Sequence, residues 1–168
     1  MELCEKHLVL TCVGLESAEV LLPAFNGDEQ FNVWSNFPNN MSLEDVCQDI
    51  EETQQLPDGK VWRIDEIVGE HEHKDTLVGV AETAIHPNPE TGWIALLIIR
   101  QPFQGRGFGT EVVNLLEHYL YTHPHVRHIG LGVLVENLPA QRFWESRGYV
   151  RGERKLDSGG HDCYEYHK

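Results

Sequence analysis

Gln104-Gly105-Arg106-Gly107-Phe108-Gly109-Thr110 stands between an apolar run, Trp93-Ile94-Ala95-Leu96-Leu97-Ile98-Ile99, and a segment with helical periodicity from Glu111 to Tyr121. A strand, a glycine-rich turn and a helix start in this order make a place for a phosphate. Glycines let the backbone approach an anion and take positive φ without a Cβ clash. The first amides of a helix have no intrahelical acceptor, and the helix dipole adds partial positive charge there. The spacing is not G-x-G-x-x-G, which excludes the dinucleotide fingerprint, and no G-K-[ST] ending follows, which excludes a nucleoside-triphosphate loop. The residues fit Q-x-x-G-x-G through Gln104, Gly107 and Gly109. Taken alone, they also fit a plain glycine-rich turn that caps a helix.

Working outward, Trp93 to Ile99 is apolar at every position, as in strands covered on both faces. Before it, Val61 to Val68 and Leu77 to His86 read as an antiparallel hairpin with a polar loop around Gly69 to Asp75. His7 to Val13 reads as a first strand. Ser17 is a candidate N-cap for a helix through Leu22. An irregular stretch follows, with Asn26-Gly27 and Asn36 to Asn40. Ser42 and Asp45 form a capping-box variant that opens a second helix, expected to run to about Gln55 and stop at Pro57-Asp58-Gly59. Phe108, Val112, Leu115, Leu116 and Tyr119 mark the buried stripe of the central helix.

After that helix, Ile129 to Val135 alternates as a strand. Asn137 follows, Pro139 sits in the first turn of a short helix, and Gly148 ends it. Tyr149 to Lys155 and Cys163 to His167 suggest a last hairpin around Ser158-Gly159-Gly160. Asn137, Ala140, Phe143, Trp144, Gly148 and Tyr149 spell N-x-x-A-x-x-F-[YW]-x-x-x-G-[FY]. On residue types alone this is also a packed helix–strand corner, since Ala, Phe and Trp at helical spacing are core residues.

With both motifs in this order, the chain resembles the GNAT superfamily of acyl-CoA-dependent N-acyltransferases. The resemblance covers residues 61 to 155 well, and residues 1 to 60 only as an element order. It implies one α/β (α+β) domain over residues 1–168, with a central twisted mixed sheet of about six or seven strands and helices on both faces. Residues 1–60 would be the acceptor side, 61–155 the acyl-CoA core, and 156–168 the C-terminal hairpin strand. It implies that the strand ending Leu97-Ile98-Ile99 splays from its neighbour and bonds the pantetheine, and that its amide near Ile98 or Ile99 polarises the thioester carbonyl. The amides of Gln104, Gly105, Arg106, Gly107, Phe108, Gly109 and Thr110 would hold the pyrophosphate. Asn137 would bond the pantetheine and cap its helix.

One departure concerns Trp144, which stands where many members carry a tyrosine that protonates the departing thiolate. An indole N–H only donates. Trp144 then walls the cleft, and the general acid is unassigned.

The implied reaction is direct transfer of an acetyl group from acetyl-CoA to a primary amine. The general base expected is Glu82, on the strand beside the apolar one. By alternation it shares a face with Val78, Val80, Ala84 and His86, and partial desolvation raises its pKa. Asp65, Glu66 and His86 are the next candidates. A ping-pong route through a cysteine is disfavoured, because none lies in the motifs. An acyl-CoA-holding module without catalysis, a purely structural domain, and an enzyme acting on a protein N-terminus or lysine stand as alternatives.

A length of 168 residues suits one domain. The net charge of −14 disfavours nucleic acid and favours a small cationic acceptor, although such charge also serves solubility. No run is long enough for a membrane span, and no signal peptide is apparent at Met1 to Lys6. Cys4, Cys12, Cys47 and Cys163 are scattered, as free thiols in a cytoplasmic protein would be. No metal is expected: His71 and His73 around Glu72, and His123, His125 and His128, lack helical metal-ligand spacing and read as surface histidines. The expected partners are thus acetyl-CoA and a small amine, with neither nucleic acid nor membrane; homodimerisation is left open.

Overall fold

The computed structural model describes residues 1–34, 40–67, 76–88, 90–157 and 159–168. Eight strands form one sheet: β1 (Glu2–Cys4), β2 (Leu8–Val13), β3 (Lys60–Glu66), β4 (Leu77–Ile85), β5 (Thr91–Ile99), β6 (His128–Leu134), β7 (Val150–Leu156) and β8 (Asp162–His167). Their spatial order is β1-β2-β3-β4-β5-β6-β8-β7. All neighbours are antiparallel except β5 and β6, which are parallel and joined across α4 (Phe108–Tyr121). The strand beyond the expected six or seven is the short β1, whose three residues are too few to show alternation.

The other helices are α1 (Ala18–Phe25), α2 (Glu29–Trp34), α3 (Leu43–Gln55) and α5 (Leu138–Ser146). At α3 the expected capping box is present: Ser42 Oγ accepts from the Asp45 amide at 3.2 Å, and Asp45 Oδ2 accepts from the Ser42 amide at 2.7 Å. Ser17 occupies the N-cap position of α1 without a side-chain cap bond. That helix runs past Leu22 because Pro23 is accommodated within it. Helix α2 falls where the sequence reads as irregular. The loop around Gly69 to Asp75, with His71 and His73, lies outside the described residues.

Two buried clusters cover the two faces of the sheet. On one, α4 lays Val112, Leu116 and Leu120 against Leu10, Trp62, Ile64 and Leu131. The Trp62 and Tyr119 rings meet edge to face at 4.9 Å, and Trp62 Nε1 donates to Thr83 Oγ1 at 2.9 Å. On the other, Leu21 and Phe25 of α1 and Val46 and Ile50 of α3 pack on Val61, Val80 and Ile98.

Two register shifts decide which way the site residues point. One lies between Ile64 and Asp65, where β3 pairs with β4, and sends Val78 into the α4 cluster. Strict alternation puts Val78 on the face of Glu82; an inserted residue reverses facing, since the side-chain period is two. The other shift skips Ala95 on β5, opposite the Glu82–Thr83 step. Accordingly Ile94, Leu97 and Ile99 pack on the α4 cluster, whereas Leu96 and Ile98 pack on the α1–α3 cluster.

Candidate active site

Strands β5 and β6 pair only through Thr91, Gly92 and Trp93 with His128, Ile129 and Gly130. Beyond Trp93 they separate, and their backbone groups are not paired with each other. A cleft of about 600 Å³ opens there, with Leu97, Ile98 and Ile99 on one side and Asn137, Ala140, Phe143 and Trp144 of α5 on the other. The glycine-rich loop closes one end through Gln104, Gly105, Gly107, Gly109 and Thr110.

The loop has the geometry its glycines allow. Gly105 and Gly107 have φ of 71° and 86°, and Gly107 is the N-cap of α4. A side chain at either would be strained. Gly109 has ordinary helical geometry, and a Cβ there would stand 3.4 Å from Phe143 Cζ. The amides of Gln104 and Thr110, expected to face the anion, instead donate to the Gln101 and Gly107 carbonyls at 3.2 and 3.1 Å, so Gly105 to Gly109 and the positive end of a helix of 14 residues are what the loop offers.

Two residues of the loop point elsewhere. Arg106 pairs with Glu66 and lies over the Phe108 ring at 4.5 Å, so its charge is already partnered. Phe108 is buried in the α4 cluster. Neither side chain lines the cleft.

Asn137 caps α5: its Oδ1 accepts from the Ala140 amide at 3.0 Å. Gln141 braces the same turn by donating to the carbonyls of Leu134 and Val135. Trp144 is 7% exposed, edge-on to both Phe143 and Tyr149, and forms a wall of the cleft.

A second compartment of about 380 Å³ continues from the first, sharing Phe31, Leu97, Asn137, Ala140 and Trp144 with it. Its other walls include Ile94 to Leu96 of β5, Leu131 to Leu134 of β6, and Asp49, Glu52, Asp157 and His161. No lysine or arginine lines it among the described residues. His161 pairs with Asp157 at 3.0 Å. The compartment therefore suits a cation.

Glu82 sits behind its wall, 4% exposed, and Thr53 Oγ1 donates to its Oε2 at 2.8 Å. Burial first, and the neighbouring Asp49 charge second, hold the Glu82 carboxyl well above the usual carboxylate range. The other base candidates are engaged elsewhere. Asp65 pairs with Arg63, Glu66 with Arg106, and His86 Nδ1 accepts from the Asn88 amide at 3.1 Å.

All four cysteines are free thiols, and none lines either compartment. His123 is bonded to Asp58. Among the described residues no three His, Cys, Asp or Glu side chains are grouped to hold a metal ion. Nor is any described helix long and apolar enough to cross a membrane.

Asp28, Gln30, Phe31, Asp49, Glu52, Asp157 and His161 were not legible as site residues. Two signals existed. Asp28 directly precedes α2 and accepts from the Gln30 and Phe31 amides, as a helix cap does. Asp49, Glu52 and Thr53 recur at i, i+3 and i+4 and so share a face of α3.

The sequence model of the acetyltransferase (GNAT) family matches residues 34–149, more than two thirds of the chain. The chain belongs to that family. It is an acyltransferase by membership, and the matched residues include β5, the glycine loop and α5. Comparison with the curated proteins gives no match. Among solved structures, an acetyltransferase from Thermus thermophilus is 22% identical with a TM-score of 0.75, covering 100% of this chain and 99% of that one. An aminoglycoside acetyltransferase in complex with coenzyme A is 17% identical with a TM-score of 0.75, covering 96% and 94%. A spermidine N-acetyltransferase from Vibrio cholerae, in complex with CoA and spermine, is 17% identical with a TM-score of 0.72, covering 96% and 94%. At these identities the likeness is one of fold.

Proposed function

We propose that this protein transfers an acetyl group from acetyl-CoA to a primary amine of a small cationic substrate, by direct attack in a ternary complex. The observation that carries the reading is the joining of two unlike compartments through Phe31, Leu97, Asn137, Ala140 and Trp144. One is apolar with a glycine loop at its end, which suits the pantetheine and pyrophosphate of acetyl-CoA. The other is acidic and receives the amine.

The residues divide the work accordingly. The amides from Gly105 to Gly109 hold the pyrophosphate, and the edge of β5 from Leu97 to Ile99 that β6 leaves uncovered holds the pantetheine as an added strand would. The Ile98 or Ile99 amide polarises the thioester carbonyl. Asn137 orients the pantetheine while capping α5, and Trp144 walls the acyl group. Glu82 receives the proton that the ammonium must lose before its nitrogen can attack. The net charge of −14 draws a cation towards the site. The fold shared with an aminoglycoside acetyltransferase and a spermidine N-acetyltransferase supports an amine acceptor.

Trp144 favours a second reading, an acyl-CoA-holding module, because it replaces the usual proton donor to sulfur. A panel of polyamines, aminoglycosides, amino acids and short peptides, assayed for CoA release, separates the two. Release with a small cationic amine is expected. Tight acetyl-CoA binding with no release for any amine selects the binding module, and release only with peptides selects a protein N-terminus or lysine.

A further inference from the structure

Asp49 and Glu82 meet at the inner wall of the acidic compartment. Asp49 projects from α3 and lines it; Glu82 lies behind on β4 and is 4% exposed. Thr53, one turn along α3, occupies Glu82 Oε2. Glu82 Oε1 and Asp49 Oδ2 are fully buried, and no donor of the described residues reaches either. The two carboxyl groups are near enough to act on each other directly. Ionised carboxyls only accept, so a proton on one of them is what lets it donate to the orphaned oxygen of the other. Leaving both oxygens bare and charged in a buried place would be costly.

We propose that Asp49 and Glu82 act as one proton-sharing pair, with Asp49 the catalytic residue that meets the acceptor ammonium and Glu82 the positioning residue that holds the transferred proton. The proposal rests on the amine-acetyltransferase reading above and adds the group through which the buried Glu82 reaches the substrate.

The charges around the pair favour this role. Glu52, nearly one turn along from Asp49, adds negative charge, and Asp157 and His161 line the same compartment. Only a protonated His161 would bring positive charge there from the described residues. Two close carboxyls lose their protons in separate steps, the second made harder by the first. Burial raises Asp49 as well as Glu82.

In the step, the pair, after its shared proton has left to solvent, takes one proton from R–NH3⁺: an N–H bond breaks and one O–H bond forms. The amine nitrogen forms a C–N bond to the thioester carbonyl carbon. Collapse breaks the C–S bond, and the proton that nitrogen sheds goes to sulfur. The pair later releases its proton to solvent. Ammonium and thioester thus give amide, thiol and one H⁺.

The test compares wild type, Asp49→Asn, Glu82→Gln and the double variant, all checked for unchanged acetyl-CoA affinity and cooperative melting. Either single change should lower kcat roughly 10²-fold and alter the acidic limb of the pH profile. The double variant should lose little more than a single one, since the two act as a unit. Carboxyl ¹³C resonances, read without turnover, should show Glu82 titrating lower in Asp49→Asn than in wild type. Multiplying losses in the double variant, or a Glu82 titration unmoved by Asp49→Asn, would overturn the pair. A wild type that acetylates no amine would instead overturn the underlying reading, and with it the catalytic role of Asp49; the resonances would still decide proton sharing.

Discussion

The Gln104 side-chain amide donates to both Asp28 Oδ2 and the Ile99 carbonyl, each at 2.8 Å. One amide group therefore ties the glycine loop to the end of β5 and to the cap of α2. The loop that suits a pyrophosphate and the segment that carries Phe31 into the acidic compartment are fixed to each other.

Acetyl-CoA should stabilise the fold by about 2.7 kcal/mol at a concentration a hundred times its Kd. Gly107→Val should abolish this, because its φ of 86° is strained for a β-branched residue. Gly109→Val should abolish it for a different reason: its methyls would enter the cleft beside Phe143. Thermal melting with and without ligand checks both. A ligand-induced shift of wild-type size in the two variants would rule out the loop as the pyrophosphate site.

Replacing all four cysteines with serine should leave kcat near wild type once the folded fraction is counted. Cys163 is the buried one of the four and should account for most of the stability loss. Steady-state rates on each single variant check this. If one folded, CoA-binding variant lost activity, a covalent acyl-cysteine would replace direct transfer.

Salt should lower kcat/KM for a cationic acceptor by screening the field of Asp49, Glu52, Asp157 and the net negative surface. Rates measured from low to high ionic strength at fixed pH read the effect. A neutral or anionic acceptor turned over at a salt-independent rate would remove the electrostatic argument.

Stability should fall as pH rises above about 4.3, the unfolded value for a glutamate. Glu82 is raised in the folded state, so the native protein binds more protons than the unfolded chain across the interval between the two values. The associated stability is full below the unfolded value and is lost as pH passes the folded one, at about 1.4 kcal/mol per unit of difference. Glu82→Gln should flatten this part of the profile and melt at least as high as wild type near neutral pH. Denaturant titrations across pH check it; an unchanged slope would show that Glu82 titrates normally.

Much of the cleft was legible because its chemistry is local in sequence. Gly105, Gly107 and Gly109 sit in one turn, and Asn137 to Tyr149 lie on one helix and its exit. The acidic compartment was not legible, because it is assembled from α3, β5, β6 and the segment after β7, which only the sheet order brings together. Val78 shows a second limit. Its facing is set by a register shift against β3, and no alternation pattern within β4 contains that information. Helix α2 is a third case: six residues are too few for a periodic signal, and its start is fixed by Asp28, whose other oxygen is held by Gln104.

In direct transfer the acetyl group leaves the cleft on an amine. Incubating the protein with isotope-labelled acetyl-CoA and each amine of the panel, followed by mass spectrometry of the amine, tests it directly. Label should appear in amide linkage on a small cationic amine, with stoichiometric CoA thiol and no labelled protein intermediate. Bound acetyl-CoA that stays intact with every amine, or label found on the protein and not on the amine, would show that this protein does not pass acetyl directly to an amine.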